Sequence, residues 1–329
     1  MLLITIDSLR ADQIYPYNSC GTLSPNISKM AHESTVFDNA FSHGPCTFAS
    51  FPAILTSTYP LMYGGYPYLD SDRITMAEIL EQHGFTTGAF TNNPYLSRSY
   101  GYNRGFKVFE DFMLPKSIRT CADIKFFFKN YDFITRKLIT RLIRGLYVVF
   151  APADTVVRKA IKFITENADR RFFLWVHFMD AHFPYHPYIS TNMPGWKLKN
   201  ILRKNIDRIT KDEISEIKTL HTAAIRYVDE NLGRLFDFLN DKKLIDSTMV
   251  VITSDHGEEF FEHLHFGHGP ELHDELLHVP LIIFTNGLFK RRRVRTLVGQ
   301  INIAPTILSL LNLPRPSIFL GKDLFISLE

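Results

Sequence analysis

The sequence predicts an α/β fold with a largely parallel central sheet and helices on both faces. Five short runs, rich in β-branched or aromatic residues, show no alternation of apolar and polar positions, as in strands that are covered on both sides. Segments with helical spacing lie between these runs, an order typical of parallel sheets. Three of the runs end in an aspartate or an aspartate with a nearby histidine. Ligands bind beyond the carboxyl ends of such strands, so these ends predict a site.

The predicted elements follow one another without an internal repeat or a low-complexity linker. Strands are predicted over 2–6, 86–90, 172–178, 248–254 and 279–284. Helices are predicted over 73–83, 154–168 and 215–240, and the last of these has the clearest helical spacing of apolar residues. We therefore expect a single domain over 1–329.

Composition and charge are those of an ordinary globular protein. The 329 residues are 45% hydrophobic and 22% charged, and the net charge of +3 is too small to indicate a nucleic-acid partner. Cys20, Cys46 and Cys121 form no CxxC pair, which argues against a disulfide framework or a structural zinc site. The start, MLLITIDSLRAD, is typical of a strand and not of a signal peptide. No run approaches the length needed to cross a bilayer, so the expectation is a cytoplasmic protein.

One basic segment, 116–150, interrupts the alternation of strands and helices. It carries eight lysines or arginines against two aspartates, with aromatic residues between them. We predict an inserted helical segment that packs its apolar face on the domain. The alternative is a basic amphipathic helix in peripheral contact with an anionic membrane.

The three strand ends bring together residues that commonly bind metals or transfer protons. The first strand ends at Asp7, the third near Asp180 and His182, and the fourth at Asp255 and His256. A single aspartate at a strand end is more often a cap or turn residue, but three such ends at one sheet edge indicate a site. Two carboxylates and an imidazole suit zinc, manganese or a similar divalent ion and leave a position open, as catalysis requires.

A cysteine and a threonine, Cys46 and Thr47, precede a segment that is predicted to open a helix. In that segment Ser50 is expected near the cap and Pro52 in the first turn. The free N–H groups of a helix N-terminus suit a tetrahedral oxyanion. Either side chain could be the nucleophile, although an isolated cysteine is usually a small buried hydrophobic residue and Thr47 could also serve as the helix cap.

Six motifs, in order and nearly end to end, resemble one family. They are LLITIDSLRAD, SPNISKMAHESTVFDNAFS, FMDAHFPYHPY, TSDHGEEF, GHGPELHDELLHVPLII and VGQINIAPTILSLLNLP. Together they resemble the sulfatases and their relatives in the alkaline phosphatase superfamily. The resemblance implies that Asp7, Asp255 and His256 bind a divalent metal ion, with the oxygen of Thr47 as a further ligand. Manganese, zinc, calcium and magnesium cannot be distinguished at this point.

The resemblance also implies roles for residues around that metal. His182 and His268 would contact the transferred group or the leaving oxygen. In two-metal relatives an aspartate and two histidines hold a second ion, and Asp180, His182 and His268 could do so here, although one metal is favoured. His263 and His265 flank the same loop and could substitute for His268.

The nucleophile departs from the usual sulfatase motif. Formylglycine-dependent sulfatases carry Cys/Ser-x-Pro-x-Arg, whereas the chain from Cys46 has neither the proline nor the arginine. Alignment on LTSTYP, which resembles the family's LTGxYP, moves the nucleophile to Thr47 and puts Phe51 in place of the arginine. Asp7 is followed by Ser8 and not by a second aspartate. This pattern resembles the phosphoglycerol and phosphoethanolamine transferases and related phosphodiesterases.

The sequence therefore predicts a metal-dependent hydrolase or phosphotransferase that uses Thr47. Its substrate would be a phosphate ester, phosphodiester or sulfate ester on a small molecule, a polymer or a lipid head group, with phosphorus chemistry preferred. One alternative is a sulfatase that acts without formylglycine, and another is a catalytically silent binding protein. The small C-terminal subdomain of many relatives is expected to be reduced or absent.

Overall fold

A computed structural model describes residues 1–18, 23–65, 68–112, 151–185 and 195–326. The predicted basic segment 116–150 lies outside the described residues, and so do Cys20 and Cys121. Within the described ranges, no helix is both long enough and apolar enough to cross a membrane.

Eight strands form one sheet, and two more form a separate hairpin. The sheet strands are β1 (Leu2–Ile6), β2 (Thr35–Phe41), β3 (Thr86–Phe90), β4 (Val108–Glu110), β5 (Phe172–Phe178), β6 (Val250–Ser254), β9 (Leu281–Phe284) and β10 (Arg292–Gly299). Their order across the sheet is β10-β2-β9-β6-β1-β5-β3-β4. Strands β7 (Glu259–Phe260) and β8 (Phe266–Gly267) pair as an antiparallel hairpin.

The largely parallel arrangement that the sequence predicts is confirmed. Strand β1 lies at the centre and is parallel to β5 on one side and β6 on the other. Within the eight-stranded sheet only β9 is reversed, because it pairs antiparallel with both β2 and β6. A buried apolar run looks the same in either direction, so the sequence pattern could not show this reversal.

Helices cover both faces of the sheet, as predicted. They are α1 (Pro25–His32), α2 (Thr47–Thr56), α3 (Met76–Gln82), α4 (Ala153–Glu166), α5 (Gly195–Ile201), α6 (Lys211–Asp241), α7 (Asp274–Leu277) and α8 (Ile303–Leu310). One face carries a core with α1, α4 and α6. The opposite face carries a second core with α2, α3 and α8. Because both faces of β1 and β6 are covered, every residue of these two strands is buried and most of them are apolar.

Two helix starts differ from the sequence expectation. The helix predicted from 73 begins at Met76, because Thr75 and Glu78 form a reciprocal capping box. The helix at the nucleophile begins at Thr47 and not near Ser50, since the N–H groups of Ala49 and Ser50 already bond to the Cys46 carbonyl oxygen. The expected positions of the cap and of Pro52 in the first turn were therefore wrong. Cys46 is the cap residue, and Pro52 lies inside the helix.

Five strands were missed from the sequence, each for a local reason. Strands β4 and β10 lie at the two edges of the sheet; β4 has three residues, and β10 is rich in arginine. Strand β2 contains Asp38 and Asn39, which are uncommon in strands. The hairpin strands β7 and β8 have two residues each. Periodicity carries little information over such short or polar runs.

Candidate active site

The ends of two neighbouring parallel strands bring two aspartates and a histidine together. Asp7 directly follows β1, and Asp255 and His256 directly follow β6, whose Ser254 is in register with Ile6. All three side chains are fully buried. His256 Nε2 lies 3.9 Å from Asp7 Oδ1 and 3.6 Å from Asp255 Oδ2. We call Asp7, Asp255 and His256 the central cluster.

Thr47 faces the central cluster from the first residue of α2. Its Oγ1 donates to Asp7 Oδ2 at 3.3 Å and lies 3.5 Å from His256 Nε2. The side chain is buried. The first N–H groups of a helix have no partner within the helix, so the N-terminus of α2 adds partial positive charge beside this hydroxyl. The hydroxyl therefore lies where a carboxylate, an imidazole and a helix N-terminus meet.

The Cys46 thiol lies beside Thr47 and is partly buried. Burial raises the pKa of this thiol to about 11, and the charges of Asp255 and Asp7 act in the same direction. The thiolate is the reactive form of cysteine. Cys46 therefore stays a protonated thiol near neutral pH.

The two predicted histidines lie beside the central cluster. The ring centroids of His182 and His268 are 5.1 Å apart, and those of His268 and His256 are 4.3 Å apart. His182 Nδ1 is within 2.5 Å of the Phe183 carbonyl oxygen. Both rings line the same cleft as Thr47, so they are placed to reach a group bound at that hydroxyl.

Three other residues singled out from the sequence lie against different partners. Asp180 Oδ1 accepts a hydrogen bond of 3.1 Å from the N–H of Ala153, the first residue of α4. Burial raises the pKa of Asp180 to about 7. His263 and His265 contact glutamates outside the central cluster and do not appear among the described residues that line the cleft. The role of Asp180 in a second metal site stays a prediction.

Three residues that sequence reasoning missed complete the site. Asn93 Nδ2 donates to Asp7 Oδ2 and to Thr47 Oγ1, both at 3.1 Å. His177 Nε2 lies 3.5 Å from Asp7 Oδ2. Glu258 is fully buried, and its Oε1 lies 3.2 Å from His268 Nδ1. Each has a faint signal in the sequence.

Asn93 follows the predicted strand 86–90, and His177 is a polar residue in an otherwise apolar strand. Both therefore lie at or near the sheet edge where the other polar residues gather. Glu258 follows the Asp-His pair by two residues. All three residues thus lie within a few positions of the end of a predicted strand.

Comparison with known proteins identifies the family. A family model for sulfatases matches residues 1–313. The chain belongs to the sulfatase family. This match confirms the resemblance that the six motifs predicted.

This sulfatase-family chain is similar to curated and solved proteins over nearly all of its length. Arylsulfatase K of Xenopus laevis is 25% identical to it over 349 residues, which cover 94% of this chain and 62% of that protein. The chain thus spans less than two thirds of the length of that relative. Two solved structures carry the same fold.

The first solved structure is the phosphonate monoester hydrolase of Agrobacterium radiobacter, with a TM-score of 0.73, 19% identity, and coverage of 98% of this chain and 76% of that one. The second is the lipoteichoic acid synthase LtaP of Listeria monocytogenes, with a TM-score of 0.70, 16% identity, and coverage of 98% and 74%. At these identities the likeness shows the fold, which is that of the alkaline phosphatase superfamily.

The central cluster of this sulfatase-family chain has the donor set that a divalent cation requires. Ligand atoms of Asp7, Asp255 and His256 all lie within 4.8 Å of one another. Asp255 Oδ2 is buried and has no hydrogen-bond partner in the described part of the chain, and such an oxygen is costly unless something binds it. The residues present therefore fit the metal ion that the family implies.

The charges of the two aspartates lead to the same conclusion. Burial opposes ionisation of Asp7, yet three imidazoles, foremost that of His182, hold its pKa well below the usual value. Burial and the charge of Asp7 raise the pKa of Asp255 to about 7. Two adjacent buried carboxylates cannot both be ionised without a compensating charge. A divalent cation between them would supply that charge.

A cleft of about 870 Å³ opens beside Thr47. Its walls are mainly apolar and aromatic; Phe48 and Tyr95 meet edge to face at 5.2 Å, and Leu61 and Leu272 are strongly exposed at its surface. Among the described residues that line the cleft there is no lysine or arginine. The described walls thus offer apolar contact with few charges.

Proposed function

We propose that the chain is a metal-dependent hydrolase or transferase that opens a phosphate ester or phosphodiester through Thr47. The observation that carries this proposal is the position of Thr47 Oγ1, which is 3.3 Å from Asp7 Oδ2 at the edge of a buried cluster that fits a metal. Asp7, Asp255 and His256 would hold the ion together with the hydroxyl. When bound, the ion would lower the pKa of the hydroxyl and neutralise charge on the transferred group.

The side chains around the hydroxyl support its role as a nucleophile. Asn93 donates a hydrogen bond to Thr47 Oγ1, so it would orient the oxygen and stabilise its ionised form. The N–H groups at the start of α2 would bind the negatively charged oxygens of the transferred group. Donors that the helix backbone fixes in this way need little reorganisation during the reaction.

The reaction would pass through a covalent ester of Thr47. The hydroxyl gives its proton to solvent water, its oxygen bonds to phosphorus, and the bond from phosphorus to the leaving oxygen breaks. His182 and His268 line the same cleft and would give that leaving oxygen a proton. Water or a second alcohol then attacks the phosphorus, and the Thr47 oxygen is released with a proton. Hydrolysis or transfer results according to which acceptor arrives.

One feature of the sequence supports phosphorus over sulfur. The alignment on LTSTYP puts Thr47 at the nucleophile position, and a threonine cannot be converted to formylglycine by the route that serves cysteine or serine. Sulfate-ester hydrolysis without formylglycine remains the competing activity that an assay must separate.

The apolar and aromatic walls of the cleft favour a substrate whose ester carries an apolar or aromatic group. A sulfated polymer would bring several negative charges, which basic side chains normally bind. The described lining supplies aromatic and aliphatic surface, and burial lowers the pKa of His43 in that lining to about 4, so its ring stays neutral near pH 7. We infer that the group leaving from the phosphate packs against the surface that Phe48 and Tyr95 form together.

The test compares four ester classes with matched variants at the nucleophile. Wild type, Thr47→Ala and Thr47→Ser are assayed with aryl phosphate monoesters, phosphodiesters, phosphonate monoesters and sulfate esters in the presence of Mn²⁺ or Zn²⁺. We expect phosphodiester or phosphate-ester turnover in wild type, about a thousandfold loss or more in Thr47→Ala, and partial retention in Thr47→Ser. High-resolution mass spectrometry after rapid quenching with a phosphodiester should show the retained ester group on the peptide containing Thr47. Undiminished turnover in Thr47→Ala, or turnover of sulfate esters alone, would contradict the proposal.

A further inference from the structure

A second group of metal-type side chains lies on the loop that follows the central cluster. Glu259, His263 and His273 each offer a ligand atom, and these atoms lie within 4.8 Å of one another. Glu259 is fully buried, whereas the two imidazoles are partly exposed. We call Glu259, His263 and His273 the hairpin cluster. None of these residues takes part in the reaction proposed above.

The buried carboxylate of Glu259 is held between two imidazoles. Its Oε1 lies 2.7 Å from His273 Nδ1, and its Oε2 lies 3.0 Å from His265 Nδ1. An ionised carboxylate that is removed from water is costly unless positive charge or hydrogen bonds compensate it. The surrounding side chains provide imidazole nitrogens on both oxygens, which is the environment of a carboxylate that ligates a metal or supports a ligating histidine.

The two partly exposed imidazoles stack face to face. The ring centroids of His263 and His273 are 3.7 Å apart. The stack brings together two imidazoles from different segments of the chain, and imidazole is a common metal ligand. His263 Nε2 lies 3.1 Å from Glu275 Oε2, and a carboxylate beside a ligating histidine commonly fixes the orientation of its ring.

The backbone around the hairpin cluster holds these side chains in place. The turn between β7 and β8 carries His263 and His265, and the Phe261 N–H donates to the His265 carbonyl oxygen at 2.9 Å. His273 arrives from the start of α7, which is anchored because the Gly257 N–H donates to the Leu276 carbonyl oxygen at 2.8 Å.

Gly257 also permits a close approach of the two segments. A Cβ at this position would lie 2.0 Å from the Glu275 carbonyl oxygen, so a larger residue would push α7 away. The hairpin of β7 and β8 thus positions Glu259 and His263, and the hydrogen-bonded start of α7 brings His273 to them.

We propose that the hairpin cluster binds a borderline transition-metal ion of the zinc type. Glu259, His263 and His273 would be its ligands, with a fourth position left to water, while His265 and Glu275 hold the first two in orientation. Imidazole nitrogens favour zinc, copper, nickel and cobalt over magnesium or calcium. Ligand atoms in a tetrahedral zinc site are about 3.4 Å apart, so the ligand atoms, which lie within 4.8 Å of one another, would adjust to that spacing as the ion binds. The ion would tie the hairpin to α7 and so support the segment that leads to His268.

Zinc stoichiometry tests this proposal on the full chain. Protein freed of metal with a chelator is titrated with Zn²⁺ alone, and bound zinc is counted calorimetrically and by elemental analysis after desalting. Wild type should bind one more zinc ion than His263→Gln/His273→Gln. The control His32→Gln alters an exposed histidine elsewhere and should bind as wild type does.

A second variant separates this site from the central cluster. In Asp255→Asn the zinc at the hairpin cluster should remain, and Co²⁺ in that variant should show the visible absorption of a tetrahedral site, which is lost on adding His263→Gln/His273→Gln. Equal zinc binding by wild type and His263→Gln/His273→Gln would overturn the proposal, as would Mg²⁺ competing with Zn²⁺ at equal concentration. Neither readout requires catalysis, so failure here is distinguishable from failure of the proposed function.

Discussion

The central cluster and the hairpin cluster are built from adjacent parts of the chain in different ways. The central cluster joins two carboxylates and one imidazole, all fully buried at the ends of paired central strands. The hairpin cluster joins one buried carboxylate and two imidazoles that reach the surface. Oxygen-rich and nitrogen-rich donor sets select different cations. The chain that follows β6 thus carries two residues of the central cluster and all three of the hairpin cluster, and the two groups have different chemical preferences.

Consecutive glutamates separate the two clusters. Glu258 contacts His268 beside the central cluster, while Glu259 contacts His265 and His273 in the hairpin cluster. Successive side chains of an extended chain point to opposite sides. Glu258 therefore faces the central cluster and Glu259 faces the hairpin cluster. A substitution of one glutamate can disturb the cluster that it faces with a limited effect on the other cluster.

An ion pair connects the segment that follows β1 with the hairpin that carries His263. Arg10, three residues after Asp7, places Nη1 2.9 Å from Glu262 Oε1 and donates to the Glu258 carbonyl oxygen at 3.2 Å. Lys218 also contacts Glu262 Oε1, at 3.1 Å. The hairpin that carries His263 is thereby attached to the loop that follows β1. The difference between the clusters is that the register of central strands positions one, whereas the hairpin, the start of α7 and the ion pairs around Glu262 position the other.

The largest effect is expected from removing a carboxylate of the central cluster. Asp255→Asn should lower turnover of the preferred ester by about a thousandfold or more, because loss of a ligand removes several kcal/mol of charge stabilisation. His273→Gln should cause a much smaller loss, since it acts through the support of the loop. The measurement is the steady-state rate of ester turnover in each of the two variants. Similar losses in both variants would show that the clusters do not differ in role.

A smaller effect is expected at Glu258, which positions His268. Burial opposes its ionisation, but the imidazoles of His268 and then His182 hold the pKa of Glu258 below the usual value. Glu258→Gln removes the charge that pairs with the ring, so kcat should fall by about tenfold to a hundredfold with little change in KM. The control Glu271→Gln alters an exposed carboxylate of the same loop and should keep wild-type kcat. A loss confined to KM would contradict a positioning role.

The smallest effect is expected at Glu262, where the measurement is stability. Partial burial opposes ionisation of Glu262, but the Arg10 guanidinium and backbone N–H groups outweigh it and lower the pKa of this carboxyl to about 2, well below its usual value. Its stabilisation is therefore present above about pH 4.5 and is lost as the pH falls towards 2. Glu262→Gln should reduce the free energy of unfolding at pH 7 by about 1 kcal/mol after allowance for solvent screening.

Urea unfolding at neutral and acidic pH checks this expectation. The difference between wild type and Glu262→Gln should shrink as the pH is lowered below 4.5, because Glu262 becomes protonated in the wild type. Glu230→Gln is the matched control, since Glu230 pairs with Arg226 on the exposed surface of α6 and should contribute less. A difference that stays constant with pH would show that the Glu262 carboxylate charge does not link the two regions.

Local chemistry made much of the central cluster predictable from sequence. Apolar runs mark strands because both faces of the sheet are covered, and the residue after such a run lies at the sheet edge. Asp7, Asp255 and His256 follow their strands directly, so the sequence could place them together. Thr47 was found through a motif, and the structure puts its hydroxyl beside Asp7.

What the sequence determined by itself was the fold class, most of the buried strands and longer helices, and the residue types of the central cluster. Only the tertiary structure decided that β9 runs antiparallel, that Asn93 and His177 reach Asp7, and that His263 lies in a second cluster. The physical reason is that apolar periodicity is a local property of the chain. The order of strands and the meeting of side chains distant in sequence depend on how the whole sheet packs.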